Sequence, residues 1–479
     1  KMEGKSNSSG NSVPLGQKIA FGIGMLANQM FPAILGIFMV VLVQDLGFSP
    51  LLWGVLFFLP RVFDSITDPI MGFISDNTRS KWGRRRQYVF VGAIILGISY
   101  IFMWQLYEDN SVTYNFIYFM IWSFVFYLGI TIFGVPYVAM GYEMSTDFHE
   151  RTQIMAIAQF IGQWAWVIAP WFWVLFYDPS WFESPDVAVR KTSIWVAVIC
   201  TILAIIPALF IKSKSTLDDE NLSPLNRSNI VNSLKEILES FKQAYAIVEF
   251  RKLCIATFLI FNSFQTIAAF SFFIIVYHMF SGDAGAAGLW PTLHGSIGAL
   301  ITTFIVIPIV ARISKKLGKK KTFILSQSIS IIGYILFWFL FVPGKPYLFF
   351  IALPFFSFGI GGLFTLMMSM TADVIDLDEL KTGKRREGVF GAIYWWMVKF
   401  GFAIAGLLSG LFMAWIGYTP DAPTQPEGAI TGMRLFYTFF PILGTLGAMY
   451  VMRNYDITEE KALEISAALE DKKANNKAN

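Results

Sequence analysis

Apolar residues gather into long blocks divided by short polar stretches. A helix needs roughly 20 mostly apolar residues to cross the hydrocarbon layer of a bilayer. Twelve blocks qualify, at residues 17–43, 51–75, 87–107, 114–142, 153–177, 192–211, 253–280, 287–311, 322–342, 347–372, 389–416 and 431–452. They are numbered below as spans 1 to 12. The pattern predicts an all-α membrane protein with twelve transmembrane helices. Residues 1–15 are rich in Ser, Asn and Gly and lack the order of a cleaved signal peptide, so span 1 is expected to be retained.

The apolar blocks pause once, in the middle. Residues 212–228 are polar and include Asp218, Asp219, Glu220 and Pro224. Then Ile230, Leu234, Ile237, Leu238, Phe241 and Tyr245 recur at helical spacing. This predicts an amphipathic connecting helix that lies on the membrane or on the bundle. The two sides of the pause repeat each other. Gly83-Arg84-Arg85-Arg86 follows span 2, and Gly318-Lys319-Lys320-Lys321 follows span 8. Glu143 to Arg151 leaves span 4, and Asp373 to Arg386 leaves span 10. Two pseudo-symmetric six-helix bundles follow. The expected divisions are a disordered N-terminus (1–15), a first bundle (16–211), a linker with the amphipathic helix (212–250), a second bundle (251–455) and a tail (456–479) that is helical to about Glu470. Duplicated six-span chains bind solute between their halves and work by rocking one half on the other.

Composition agrees with the blocks. The chain is 55% hydrophobic and 15% charged, where a soluble domain carries about a quarter charged residues. A net charge of +4 implies no nucleic-acid partner. Its distribution says more. Lys and Arg crowd the loops after spans 2, 8 and 10, while the loops after spans 1, 3 and 7 carry only acids, such as Asp45, Glu108, Asp109 and Asp283. The positive-inside rule then puts both termini and the even-numbered loops in the cytoplasm of a multi-pass protein, expected in a bacterial inner (plasma) membrane. Cys200 and Cys254 sit in apolar segments and suggest neither disulfide nor metal. The three histidines are scattered and converge with no nucleophile, so an enzyme or sensor is the remote reading.

Charges inside spans are costly, about 2.5–3.5 kcal/mol each at the bilayer centre, so they mark function. Span 2 carries Arg61, Asp64 and Asp68, with Thr67 between the acids. Residues four apart share a helix face, and two acids one turn apart repel unless a cation or proton intervenes. They suit a site for Na⁺ or a protonatable dyad; a structural Arg61–Asp64 pair with a spare acid is the alternative. Lys399 is the basic group well inside span 11. It can oppose the span 2 acids, donate to a substrate, or snorkel to the surface. Gln29, Thr131, Gln159 and Gln163 are uncharged polar groups suited to a hydroxyl-rich solute or to helix–helix contact. Trp164, Trp166 and Trp395 offer apolar faces on which a sugar can stack, whereas Trp171 and Trp173 suit an interfacial belt. The cluster Asp76, Arg79 and Arg84, with Glu143, Arg151, Asp373 and Arg386 at related span ends, can gate by ion pairs or bind lipid headgroups.

Two stretches carry a resemblance. Asp64-x3-Asp68-Pro69-x2-Gly72-x3-Asp76-Asn77-Thr78-Arg79-x3-Gly83-Arg84 and Lys381-Thr382-Gly383-Lys384-Arg385-Arg386-Glu387-Gly388, with Pro136-Tyr137, Glu143 and Glu150-Arg151, are similar to the signatures of the glycoside–pentoside–hexuronide:cation symporters. That resemblance implies the major facilitator fold, a monomer without cofactors, and symport of a small saccharide with Na⁺ or H⁺. It places cation ligands at Asp64, Asp68, Thr67 and Thr131, and puts Lys399 near both sites. This sequence departs from the sugar-binding members, which carry charged or aromatic groups where Gln29, Gly134, Val138 and Gln159 stand here. A saccharide and a lysophospholipid-like amphiphile or other organic solute therefore both stay open as substrates.

Overall fold

The computed structural model describes residues 12–145, 148–383 and 387–478. Twelve helices are long and apolar enough to cross a membrane: Leu15–Gln44, Pro50–Asp76, Arg86–Met103, Val112–Glu143, Gln153–Tyr177, Pro185–Phe210, Val248–Met279, Trp290–Leu317, Lys319–Leu340, Pro346–Thr382, Val389–Trp415 and Glu427–Met452. Local chemistry sets their ends. Ser49 accepts from Leu52 N at 3.2 Å and Pro50 opens span 2; Ser111 accepts from Tyr114 N at 3.1 Å and opens span 4. Both satisfy an N–H that the first turn would leave unpaired. Gly383 closes span 10 in the left-handed conformation.

The connecting helix runs Arg227–Tyr245, with Asn226 as its cap. Before it, the polar stretch folds back on the loop after span 2. Thr216 Oγ1 donates to Thr78 O at 2.9 Å, Arg79 donates to Leu222 O at 3.2 Å and Asn77 accepts from Ser223 N at 3.0 Å. The tail helix runs Glu459–Ala478, past the expected end near Glu470, because no Gly or Pro interrupts Asp471 to Ala478. The N-terminal stretch expected to be disordered lies, up to residue 11, outside the described residues.

The repeat is structural. Gly83 and Gly318 both turn the chain at positive φ, +91° and +85°, which favours glycine. Just after each, a base reaches an acid on the second span following: Arg84 pairs with Glu143, and Lys319 with Asp373 at 2.8 Å.

The two ends of the bundle differ. One carries the basic loops and both described termini; the other carries Asp45, Glu108, Asp178 and Asp421. They are called the basic and acidic ends. Toward the acidic end the halves lock together along two seams. Between spans 5 and 8, Thr292 donates to Pro170 O at 2.8 Å and Ser296 to Val167 O at 3.0 Å. Between spans 2 and 11 the backbones nearly touch: a Cβ on Gly410 would lie 2.3 Å from Pro50 O and 2.7 Å from Gly54 Cα. No side chain fits there, and even a methyl forces the helices apart. Overpacking of this kind costs about 1–3 kcal/mol. A Gly410→Val variant is therefore expected to fold with the acidic end held open in a large share of molecules. Alkylation of a cysteine placed at Leu56, buried two residues from Gly54 on span 2, should accelerate roughly tenfold or more; an unchanged rate would mean that the seam does not close the molecule.

Candidate functional site

Asp64 and Asp68 lie in the middle of span 2 and face span 4 and span 11. Their four-residue spacing, close to one helical turn, puts both carboxylates on one side of the helix. Thr131 Oγ1 lies 2.8 Å from Asp64 Oδ1 and 2.9 Å from Asp68 Oδ1, and Thr67 Oγ1 lies 3.0 Å from Thr131 Oγ1. One hydroxyl has one proton, so Thr131 donates to only one acid at a time. Four oxygens from two spans thus crowd one point. Thr67, Thr131, Asp64 and Asp68 are brought together as the sequence reading grouped them.

Lys399 enters from the other half. Its Nζ contacts Asp68 Oδ2 and stands 3.6 Å from Asp64 Oδ2. Burial is graded across the trio: 1% of the Asp64 side chain is exposed, 16% of Asp68 and 32% of Lys399. Asp64 Oδ2 is buried and accepts no hydrogen bond. A carboxylate oxygen without a hydrogen bond, beside the four clustered oxygens, fits a hard monovalent cation, which takes oxygen ligands. Among the described residues no group of three His, Cys, Asp or Glu is placed to hold a resident metal.

Arg61 corrects one expectation. Among the described residues it forms no ion pair with Asp64. Its guanidinium lies 5.0 Å from the Tyr127 ring of span 4 and 4.8 Å from the Phe402 ring of span 11. Each of these residues lies three or four positions from an ion-site residue: Arg61 from Asp64, Tyr127 from Thr131, Phe402 from Lys399. All three step toward the acidic end. Arg61 therefore forms a layer directly over the carboxylates. Above it Phe57 fits against Gly406, and above that Gly54 against Gly410.

The substrate candidates are divided by the structure. Gln29 accepts from Trp166 Nε1 at 3.2 Å and lies against Gly162 of span 5. Gln159 and Gln163 sit four apart on span 5, Gln159 exposed and Gln163 half-buried. Trp164 instead meets Phe304 of span 8 at 5.9 Å, in a crevice shared with Phe160, Gln163 and Thr303. Trp395 is exposed one turn from Lys399 toward the basic end.

At the basic end, Arg85 organises the cluster that the sequence reading centred on Arg84. Arg85 reaches Asp76 at 2.5 Å, Glu143 at 2.8 Å and Ser75 Oγ at 3.1 Å, while Arg84 donates to Asp76 O at 3.1 Å and pairs with Glu143. These pairs tie spans 2, 3 and 4 within one half. Arg79 serves the linker. Lys18 meets Gln153 at 2.6 Å and Glu150 at 3.5 Å. Arg386 and the side chain of Arg151 lie outside the described residues. The sequence reading missed Arg85, Lys18, Tyr127 and Phe402. Of these, Arg85 stood in the basic run, and helical spacing from Thr131 and Lys399 was the signal for Tyr127 and Phe402.

With the geometry in view, known proteins give it a place. The MFS/sugar transport protein family matches residues 20–459. The glucuronide carrier protein homolog of Escherichia coli (strain K12) is 25% identical over 95% of each chain. The isoprimeverose transporter of Lactiplantibacillus pentosus is 22% identical over 91% of this chain and 87% of that one. Among solved structures, a bacterial homolog of the human lysosomal transporter Spinster, inward-facing and unoccupied, superposes with a TM-score of 0.65 at 12% identity over 92% of this chain and 96% of that one, which shows the shared fold. These relatives are transporters rather than enzymes, in line with the symporter signatures read from spans 2 and 10. The chain belongs to the MFS/sugar transport protein family and is a multi-pass secondary transporter.

Proposed function

We propose that this transporter carries a sugar, glycoside or uronide together with Na⁺ or H⁺, by alternating access. The carrying observation is the Asp64 Oδ2 atom, buried and without a hydrogen bond, 3.6 Å from Lys399 and beside a cluster of four oxygens. A buried acceptor without a donor costs about 1–3 kcal/mol, and an entering cation removes that cost. Lys399 holds the other side of the cluster and stands in for the cation. The cation displaces it, neutralises the repulsion between Asp64 and Asp68, and frees the ammonium to donate to a substrate hydroxyl or carboxylate. Gln29, Gln159, Gln163 and Trp395 supply further contacts. The family's sugar transporters, and the glucuronide and isoprimeverose carriers among the relatives, support a saccharide. The exposed aromatic crevice at Phe160, Trp164 and Phe304 supports the second reading, an amphiphile admitted between spans 5 and 8.

The positive-inside rule makes the basic end cytoplasmic. The state described here is then inward-facing. Spans 2 and 11 are sealed from Gly54 and Gly410 down to Arg61 and Phe402, yet a third of Lys399 remains exposed, so the ion site is reached from the basic end. The driving force is adequate. One positive charge moving inward gains about 2.3 kcal/mol per 100 mV, roughly a fifty-fold accumulation of a neutral solute.

Uptake into proteoliposomes tests the reading. With mono-, di- and uronic saccharides and one lysophospholipid offered under an imposed Na⁺ or H⁺ gradient, a saccharide is expected to accumulate and the effective gradient names the ion. Accumulation of the lysolipid alone selects the amphiphile. Asp64→Asn and Asp68→Asn should each abolish uphill accumulation, about fifty-fold at 100 mV; full ion-driven uptake by either would sink the scheme. Lys399→Gln should bind the cation more tightly, about tenfold, because no internal ammonium competes. Its melting temperature should respond more strongly to the coupling ion than that of the parent protein, and an equal response would show that Lys399 does not occupy the cation's place.

A further inference from the structure

The acidic end closes with a hydrogen-bonded layer that the transport scheme leaves unused. Gln44 ends span 1. Its Nε2 donates to Tyr277 Oη at 2.6 Å, and its Oε1 accepts from Tyr418. Tyr277 lies near the end of span 7 and Tyr418 just past span 11, so phenols of the second half hold one amide of the first from both sides. Tyr277 donates onward to Ala422 O at 3.3 Å.

The next residue, Asp45, sits inside this layer. Its Oδ2 accepts from Tyr177 Oη, at the end of span 5, at 2.7 Å. The other charged groups that weigh on it are acids from three directions: Asp421 of the second half, Glu108 of the loop between spans 3 and 4, and Asp186 at the start of span 6. Arg190 is the nearby base, and it is committed to Asp186 at 2.9 Å and Leu106 O at 2.7 Å. Among the described residues no Lys or Arg lies within ion-pair distance of Asp45. Burial pushes the Asp45 carboxyl up to about 8; the Tyr177 hydrogen bond opposes this, and the charges of Asp421, Glu108 and Asp186 add to it.

We propose that Asp45 is a proton-binding site of the acidic-end gate. The gate closes on protonated Asp45 and opens when Asp45 ionises, because closure presses it toward Asp421 of the opposite half with no cation between them. Asp45 is partly exposed in the closed form; when the halves part it meets more water and its carboxyl returns toward an ordinary value of about 4. A carboxyl whose pKa is raised in the closed form favours that form when protonated. The preference is complete below the ordinary value and is lost as pH rises through about 8. Across that window closure takes up one proton, and the closed-to-open ratio falls about tenfold per pH unit. The phenols titrate above the window. The proton enters and leaves on the same side of the gate, so the site regulates the carrier without moving a proton across it. The inference rests neither on the identity of the coupling ion nor on the substrate.

Spin labels on the two halves test it in the full chain. Cysteines replace Asn110 and Lys345, exposed in acidic-end loops, with Cys200→Ala and Cys254→Ala removing the native thiols. Pulsed dipolar distances are read from pH 5 to 9. The long-distance fraction should rise steeply toward pH 8, and Asp45→Asn should abolish that rise and stay closed. Asp421→Asn removes the opposing charge, so its rise should end at lower pH and reach a smaller long-distance fraction than in the parent protein, which provides a readout even where Asp45→Asn folds poorly. Distances in the parent protein that ignore pH, a slope retained in Asp45→Asn, or a long-distance fraction at high pH in Asp421→Asn equal to the parent's would each overturn the proposal.

Discussion

Two carboxylates one helical turn apart in an apolar span repel each other, and the ammonium of Lys399 is the group that lets Asp64 and Asp68 share that face. The acids belong to the first half of the molecule and the lysine to the second. The attraction that stabilises the acids is therefore also a tie between the halves at mid-span. The neighbouring layers extend it toward the acidic end: Arg61 against Phe402, then Phe57 against Gly406, then the bare backbones at Gly54 and Gly410. Without small residues at the last two levels, spans 2 and 11 could not approach closely enough for Lys399 to reach across.

Much of this was legible in the sequence. Twelve spans followed from block length alone, since a bilayer imposes one length on every crossing helix. The shared face of Asp64 and Asp68 followed from helical period, and Thr67 and Thr131 came from the family resemblance. The partner of Lys399 stayed open between acids, substrate and surface, because period fixes a face but not which neighbour occupies it. Arg61 shows the same limit. Its three-residue offset from Asp64 allowed an ion pair, yet the guanidinium turns to two aromatic rings. Arg85 and Arg84 were indistinguishable within one basic run, and only the turn at Gly83 decides which of them points inward to Ser75 and Asp76. The latch at Gln44 was invisible, since its phenols lie 233 and 374 residues away in sequence.

The repeat of the halves makes their difference informative. Arg84–Glu143 and Lys319–Asp373 are matched pairs at matched turns, and each binds its own half into a rigid body. At mid-span the match fails: acids on span 2 face a lysine on span 11. The matched ion pairs bind the bodies that move, whereas the Lys399 pairs lie between them. Partly exposed ion pairs contribute little net stability. A tie between moving bodies should be of this kind, strong enough to order the site and weak enough to break in each cycle.

The gradient of exposure within the trio gives that tie a direction. Asp64 is enclosed, Asp68 less so, and Lys399 lies at the rim. The ammonium thus covers the mouth of the oxygen cluster and leaves Asp64 Oδ2, 3.6 Å away, without a hydrogen bond. A mobile cation on the proposed reading goes deeper than Lys399 can, because it has no side chain to anchor it at the rim. It reaches that oxygen and loosens the ammonium in one event. Binding and release of the inter-half tie then share a single set of atoms, and coupling follows from competition for Asp64 and Asp68 without a longer relay through the protein.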